Sequence, residues 1–396
     1  MIFQLLDPKS ECVGAFMEGE IYDEIPSNAT RTWKYAPHLS DKDIEYAHLY
    51  CGGRSLDEVC PEDMKGSWEQ IRDKMYAYLR SFTLAKISLK DNCFYDLVPE
   101  AFLLEYYNLK SKITESVFDT YQKPTNYEFL EDMTKLLETI RTRDLNIDLS
   151  KMSDELHEYK ARQFWKSVKE VRPYISYDLF GTKTGRLTTC RGSFPILTMA
   201  KKYRKILSPT NDCFVELDFN AAELRTLLAL SGVEQPTEDI HSWNVEHLYG
   251  GKLSREESKK RIFAWLYNPA SKDRASASAY KRDHVVSQYF DGSQVTTAFD
   301  RTMPCDNHHA LNYIIQSTTS DLFLRQMIKV DKALQGKKSF VSFSVHDSLV
   351  LDVDKEDRGM IEDLHGIFSE TELGKFKTNL KIGKNFGTMR NMEITQ

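Results

Sequence analysis

Apolar and polar positions follow different rhythms in the two halves of the chain. Between residues 68 and 82, Ile71, Met75, Tyr78, Leu79 and Phe82 recur every three to four places, which predicts an amphipathic helix. Residues 99–112 predict another, entered through Pro99 near its first turn. Two more are predicted over 127–143 and 153–171, separated at Asn146 and Asp148 and stopped by Pro173. Residues 2–22 instead carry short apolar runs broken at Pro8-Lys9-Ser10 and Glu18-Gly19-Glu20, the pattern of a β-hairpin.

Beyond residue 175 short strands interleave with helices. Residues 213–219 predict a strand, and 221–230 a helix closed by Gly232. Ser254-Arg255-Glu256-Glu257 has the form of a capping box opening a helix that runs to Tyr267, ended by Asn268-Pro269. A strand over 294–299, a long helix over 310–334 and a hairpin over 340–354 joined at His346-Asp347-Ser348 complete the series. There is no repeat and no regular βαβ alternation, so the expected class is α+β.

Composition narrows the field. A chain of 396 residues with 41% hydrophobic and 28% charged residues is neither collagen-like, mucin-like nor wholly disordered. No apolar run approaches the roughly 20 residues of a membrane helix. The opening MIFQLLDPKSE has no basic region followed by a long apolar one, so a cytoplasmic protein without membrane association is expected. Seven scattered cysteines do not form a disulfide framework. His48, Cys51 and Cys60 lie close together, but no second ligand pair follows, which disfavours zinc. The net charge of −6 hides an asymmetry: residues 159–205 hold twelve Lys/Arg against two acids, a local +10. A polyanion-binding surface concentrates cations in this way, although a solvated helix face does so too.

Two groups of residues suggest chemistry. Arg255, Lys259, Phe263 and Tyr267 recur every four positions and share one broad helix face. Two cations followed by two aromatics suit a ligand with a polyphosphate end and a flat base end, while an ordinary amphipathic helix with buried aromatics is the plain alternative. Asp218 ends a predicted strand and Asp347 sits at the turn of a predicted hairpin. Carboxylates at such places are held by rigid strands yet reach open space, which suits hard cations.

In combination these segments resemble the family A DNA polymerases. Asp218-Phe219-Asn220-Ala221-Ala222-Glu223-Leu224-Arg225 is similar to that family's first palm motif, the Arg255…Tyr267 helix to its fingers motif, and Val345-His346-Asp347 to its second palm motif. Thr184-Gly185-Arg186-Leu187-Thr188-Thr189, Asp239-Ile240-His241, Asn312-x3-Gln316 and Gly383-Lys384-Asn385-Phe386 resemble further family segments in the same order. The resemblance implies a right-hand architecture. Its expected parts are an amino-terminal domain (1–118, a degenerate exonuclease-like remnant or an unrelated module), a short thumb (119–180), a palm (181–232 and 306–396) and fingers (233–305).

It also implies roles. Asp218 and Asp347 would hold two Mg²⁺ with the carbonyl of Phe219. Arg255, Lys259 and His241 would grip the phosphates of a dNTP, Lys259 also serving as proton donor to the leaving group. Phe263 and Tyr267 would flank the base and template, and Glu223 would crowd the sugar 2′ position. Arg186, Asn312 and Gln316 would probe the minor groove of primer–template DNA, and His346 would touch the primer end. The implied activity is template-directed DNA synthesis without proofreading, in an enzyme of phage or mobile-element type that depends on a processivity or replisome partner.

Departures keep two alternatives open. Ser348 follows Asp347 where most of the family's DNA enzymes carry glutamate; the single-subunit phage RNA polymerases have His-Asp-Ser, so an RNA polymerase or a sugar-indifferent enzyme is the catalytic rival. A non-catalytic primer–template scaffold is the rival of another class.

Overall fold

Three short antiparallel strands, β1 (Phe3–Leu5), β2 (Ala15–Met17) and β3 (Glu20–Tyr22), open the chain. Met17 faces Glu20 across a two-residue turn in which Glu18 (φ 51°) and Gly19 (φ 91°) both have positive φ, the type I′ geometry that suits strand twist. The computed structural model describes residues 1–7, 14–89, 91–268 and 270–392, so the turn expected at Pro8-Lys9-Ser10 lies outside the described residues, as does Pro269. The chain divides into two compact units, Met1–Glu138 and Thr139–Gln396.

In the first unit, α1 (Glu62–Leu84) buries Trp68, Ile71, Met75 and Phe82, most of the stripe that the spacing predicts. It packs in one cluster with Phe102, Leu103 and Tyr107 of α2 (Glu100–Thr120), which runs further than its expected end. α3 (Tyr127–Arg141) crosses the boundary between the units. Beyond it, the helix expected over 153–171 starts only at Tyr159 (α4, Tyr159–Glu170). The preceding Leu149–Glu155 is a 3₁₀ turn, because the Asp148 carboxylate accepts bonds from the amide and hydroxyl of Ser150 and winds the chain more tightly.

The second unit is organised on an antiparallel sheet. Its strands are β4 (Cys213–Phe219), β5 (Phe340–Val345), β6 (Ser348–Val353), β7 (Thr378–Gly383) and β8 (Arg390–Asn391), in the order β5-β6-β4-β7-β8. Around it lie α5 (Ala222–Leu230), α6 (Ile240–His247), α7 (Arg255–Leu266), α8 (Ala310–Ala333) and α9 (Ile361–Ser369). Side chains alternate along β4. Phe219 stacks on Phe368 of α9 with centroids 4.4 Å apart, so the odd-numbered positions meet the helices and Glu216 and Asp218 face the other way. The strand expected over 294–299 is confined to Gln294–Thr296. Mixed helices and strands without βαβ alternation make the fold α+β, as expected.

Leu224 and Leu227 of α5, Ile262 and Trp265 of α7, and Ile314 and Ile315 of α8 share one core. This decides how α7 is oriented. Its buried positions are Ser258, Ile262, Trp265 and Leu266, not the Arg255/Lys259/Phe263/Tyr267 face. The aromatics of that face therefore sit at the edge of the core: Phe263 packs against it half-buried, and Tyr267 is 44% exposed.

Candidate active site

Strand register assembles the site. Asp218 on the central strand lies opposite Ser348 of β6 on one side and Asn379 of β7 on the other, and Glu216 lies opposite Lys381. Directly paired residues share a sheet face, so Glu216, Asp218, Ser348, Asn379 and Lys381 form one polar patch. Asn379 Nδ2 donates to Asp218 Oδ2 at 3.2 Å, Lys381 Nζ meets Glu216 Oε2 at 2.7 Å, and Ser348 Oγ donates to Glu216 Oε1 at 2.9 Å.

Asp347 arrives beside this patch on the β5–β6 turn. Val345 faces Ser348, so the turn is the two residues His346-Asp347, one shorter than expected. His346 has φ 55°, a strained value for a residue other than glycine, and presents Asp347 at the tip. The hairpin is braced from behind: the Tyr177 hydroxyl donates to Ser344 O at 2.6 Å and accepts from Ser344 N at 3.0 Å. A second strained residue, Ala221 (φ 52°), caps α5 where the chain turns out of β4. Asp218, Phe219, Glu223, Phe263, His346 and Asp347 all line one cavity of about 330 Å³, rimmed by Lys201 and Arg204.

Burial sets the electrostatics of the two aspartates. Burial raises the pKa of Asp218, and the charges of Glu216 and Asp347 raise it further, against the Asn379 bond and Lys381. Burial also raises Asp347, where Arg186 lowers and Glu223 raises. Two half-buried carboxylates lining one cavity offer oxygen donors of the kind that fits a hard divalent cation. Among the described residues no group of three or more His, Cys, Asp or Glu side chains converges as a metal site.

Glu223 is the hub of a second cluster. Its carboxylate accepts from Arg186 Nη2 at 2.6 Å and from the Tyr267 hydroxyl. That hydroxyl also bonds Gln316, while burial and the Glu223 charge raise its pKa. Asn312 lies one turn before Gln316 on α8, with a buried Oδ1 that has no hydrogen-bond partner. The rings of Phe263 and Tyr267 stack 6.1 Å apart and 10° from parallel, and His241 lies 5.9 Å from Phe263.

A third cluster surrounds His241. Asp239 caps α6 by accepting from Ser242 N, and it takes Arg255 in a bidentate pair at 3.1 and 3.0 Å. Arg255 is thus already paired in this structure, while Lys259 is exposed. His241 is 4% exposed with its Nδ1 unpartnered, and burial pushes its pKa down to about 4, so the ring is neutral near pH 7.

The expected residues thus fall into an acidic floor, the Glu223 hub and the α7 face, which meet at Glu223 and Phe263. Glu216, Asn379 and Lys381 were not anticipated. Glu216 was findable: two positions before Asp218 on a strand, it has to share that residue's face. Asn379 and Lys381 were not, since only register brings β7 alongside.

Residues 268–389 match the sequence model of DNA polymerase family A. The DNA polymerase of Mycobacterium phage L5 is 26% identical over 177 residues, 37% of this chain and 29% of that protein. DNA polymerase I of Rhizobium leguminosarum is 24% identical over 241 residues, 47% of this chain and 24% of that protein. The match thus spans less than a third of either relative. A solved POL domain of Pol1 from M. smegmatis, in complex with DNA primer-template and dNTP, superposes with a TM-score of 0.64 at 12% identity, over 87% of this chain and 82% of that one. The last comparison establishes a shared fold.

Proposed function

We propose that this chain, whose residues 268–389 are those of a family A DNA polymerase and whose fold is that of a polymerase domain, adds deoxynucleotides to a primer 3′ end on a DNA template. The observation that carries the reading is the meeting of Asp218 and Asp347, 129 positions apart, in one cavity with Glu223, Phe263 and His346. Asp218, Asp347 and the Phe219 carbonyl would hold two Mg²⁺, and a pair of such ions supplies an acidified 3′-hydroxyl and charge neutralisation at the transferred phosphate.

The protein's own residues do the remainder. The α7 face offers Lys259 to the triphosphate and the Phe263 ring to the base, one turn apart. Arg255 joins the phosphate grip once it exchanges Asp239 for the ligand, and neutral His241 contributes a hydrogen bond. Lys259 donates the proton to departing pyrophosphate. Glu223, held by Arg186 and Tyr267, closes the space beside the sugar and selects deoxynucleotides, which weighs against the RNA polymerase reading. Arg186, Asn312 and Gln316 read minor-groove acceptors common to correct pairs, and His346 meets the primer terminus.

Residues 181–232 and 306–396 act as palm, 233–305 as fingers, and the helices within 119–180 as a short thumb. The exposed cations of α4 (Lys160, Arg162, Lys166 and Lys169) track the duplex. We assign no proofreading to residues 1–118, read either as a degenerate exonuclease-like remnant or as an unrelated module, and infer dependence on a processivity partner. Among the described residues no helix is long and apolar enough to cross a membrane. Among the described residues five cysteines are free (Cys51, Cys60, Cys190, Cys213 and Cys305), which favours the cytoplasmic setting, while Cys93 is disulfide-bonded, which weighs the other way. The likeness to the phage L5 enzyme supports a phage-type origin.

The test is primer extension by purified protein with Mg²⁺ and each nucleotide type, beside Asp218→Ala and Asp347→Ala. The expected result is extension with dNTPs that both variants abolish. Binding of primer–template without extension would establish the scaffold instead, and degradation of labelled single-stranded DNA that survives Asp218→Ala would reveal a nuclease.

A further inference from the structure

Glu216 is a carboxylate in the middle of the otherwise apolar run Cys213–Leu217, 6% exposed, facing the same cavity as Asp218. Burying such a group is costly, and a hydrophobic residue would serve the sheet as well. Both of its oxygens are engaged, one by Ser348 Oγ at 2.9 Å and the other by Lys381 Nζ at 2.7 Å.

Ser348 directly follows Asp347, at the position where the resembled enzymes mostly carry glutamate. On the sheet that position and Glu216 meet: the acid missing from β6 is present on the adjacent β4, hydrogen-bonded to the small residue that replaces it. We propose that Glu216 is the relocated third acid of this centre. It acts as a positioning residue that orients Ser348, the neighbour of Asp347, and Lys381 beside the cavity where Asp218 and Asp347 would receive divalent cations. The bonds to Lys381 and Ser348 hold its carboxylate turned along the sheet, beside the two aspartates. The inference rests on the polymerase reading of the site.

The test compares the full chain with Glu216→Gln, Glu216→Ser and the exchange Glu216→Ser/Ser348→Glu. Extension is measured against Mg²⁺ concentration, and thermal unfolding is followed in parallel. We expect Glu216→Gln and Glu216→Ser to extend about tenfold or more slowly and to need more Mg²⁺ for half-maximal rate, as loss of an outer-layer partner does at metal sites. The exchange should recover rate and Mg²⁺ requirement together. A purely structural Glu216 would lower the Tm and leave the Mg²⁺ curve on that of the parent, which overturns the proposal, as does an exchange variant that folds yet works no better than Glu216→Ser. If Glu216→Ser fails to fold, the nearly isosteric Glu216→Gln decides through its Mg²⁺ curve. A parent that does not extend primers overturns the polymerase reading itself. A parent that extends while Glu216→Gln matches it overturns this inference alone.

Discussion

Arg186 Nη2 lies 2.6 Å from Oε1 of Glu223, whose other oxygen takes the Tyr267 hydroxyl, so a single acid ties a loop, α5 and the end of α7 together. Glu223 is 9% exposed, and this clamp holds it in one position beside the cavity. Replacing it opens the space that a 2′-hydroxyl would need. Glu223→Ala should narrow the preference for dNTP over rNTP by about 100-fold, the scale on which a pocket gains or loses discrimination of one hydroxyl. Tyr267→Phe frees the same carboxylate and should shift the preference less, in the same direction. Single-nucleotide incorporation with both sugar types reads each effect.

Asp347 should trade stability for chemistry. Its folded pKa is raised by burial, so above the folded value the ionised group costs stability, and that cost is relieved as pH falls through the folded value towards the unfolded one. Asp347→Asn should therefore melt higher than the parent at pH 7 while extending primers about a thousandfold more slowly, the loss expected from several kcal/mol of transition-state stabilisation. Mg²⁺ should raise the Tm of the parent, and of the variant much less. Calorimetry with and without Mg²⁺, beside extension rates, checks both halves.

His241 sets an acid limit. Its pKa falls from 6.5 unfolded to about 4 folded, chiefly through burial, with Arg255 and Lys259 lowering it and Asp239 and Glu256 opposing them. Between those values the unfolded chain takes up a proton that the folded chain refuses, so stability falls as pH drops from 6.5 towards 4. The full penalty is about 3 kcal/mol. His241→Gln removes the titration, and the difference between the two proteins in denaturant stability should shrink the parent's advantage steadily across that window. Parallel curves for the two proteins would refute this account.

Arg301 and Asp321 form a buried bidentate pair at 3.0 and 2.7 Å, with the aspartate side chain 1% exposed. Gly185, at φ +76°, packs on that guanidinium so closely that a Cβ would sit 2.6 Å from Nη2, and the next residue is Arg186. Asp321→Asn leaves a buried cation uncompensated and should cost about 3–5 kcal/mol in urea unfolding. Gly185→Ala should cost less stability but loosen the Arg186–Glu223 clamp, visible as a narrower sugar preference in the incorporation assay.

Local pattern sufficed wherever a residue's neighbours in sequence are its neighbours in space. The Ser254 capping box forms as its spacing requires, with Ser254 Oγ accepting from Glu257 N and Glu257 Oε2 accepting from Ser254 N, because all its atoms lie within one turn. The 68–82 stripe and the 340–354 hairpin are legible for the same reason. The helix expected from residue 153 failed at its start, where the Asp148 carboxylate accepts two bonds from Ser150 and a 3₁₀ turn stands instead.

The identity of the chemistry-bearing residues, their order and the elements that carry them were determined by the sequence alone, since spacing within an element is a local property. What only the tertiary structure decided is how those elements meet. Which face of α7 looks away from the core follows from how Ile262 and Trp265 pack against α5 and α8. Which groups neutralise or sharpen the Asp218 charge follows from a register that aligns β4 with β6 and β7, strands more than 120 positions away in the chain. Strand pairing and core packing join residues by surface complementarity rather than by sequence distance, so Glu216, Asn379 and Lys381 come together only once the chain has folded.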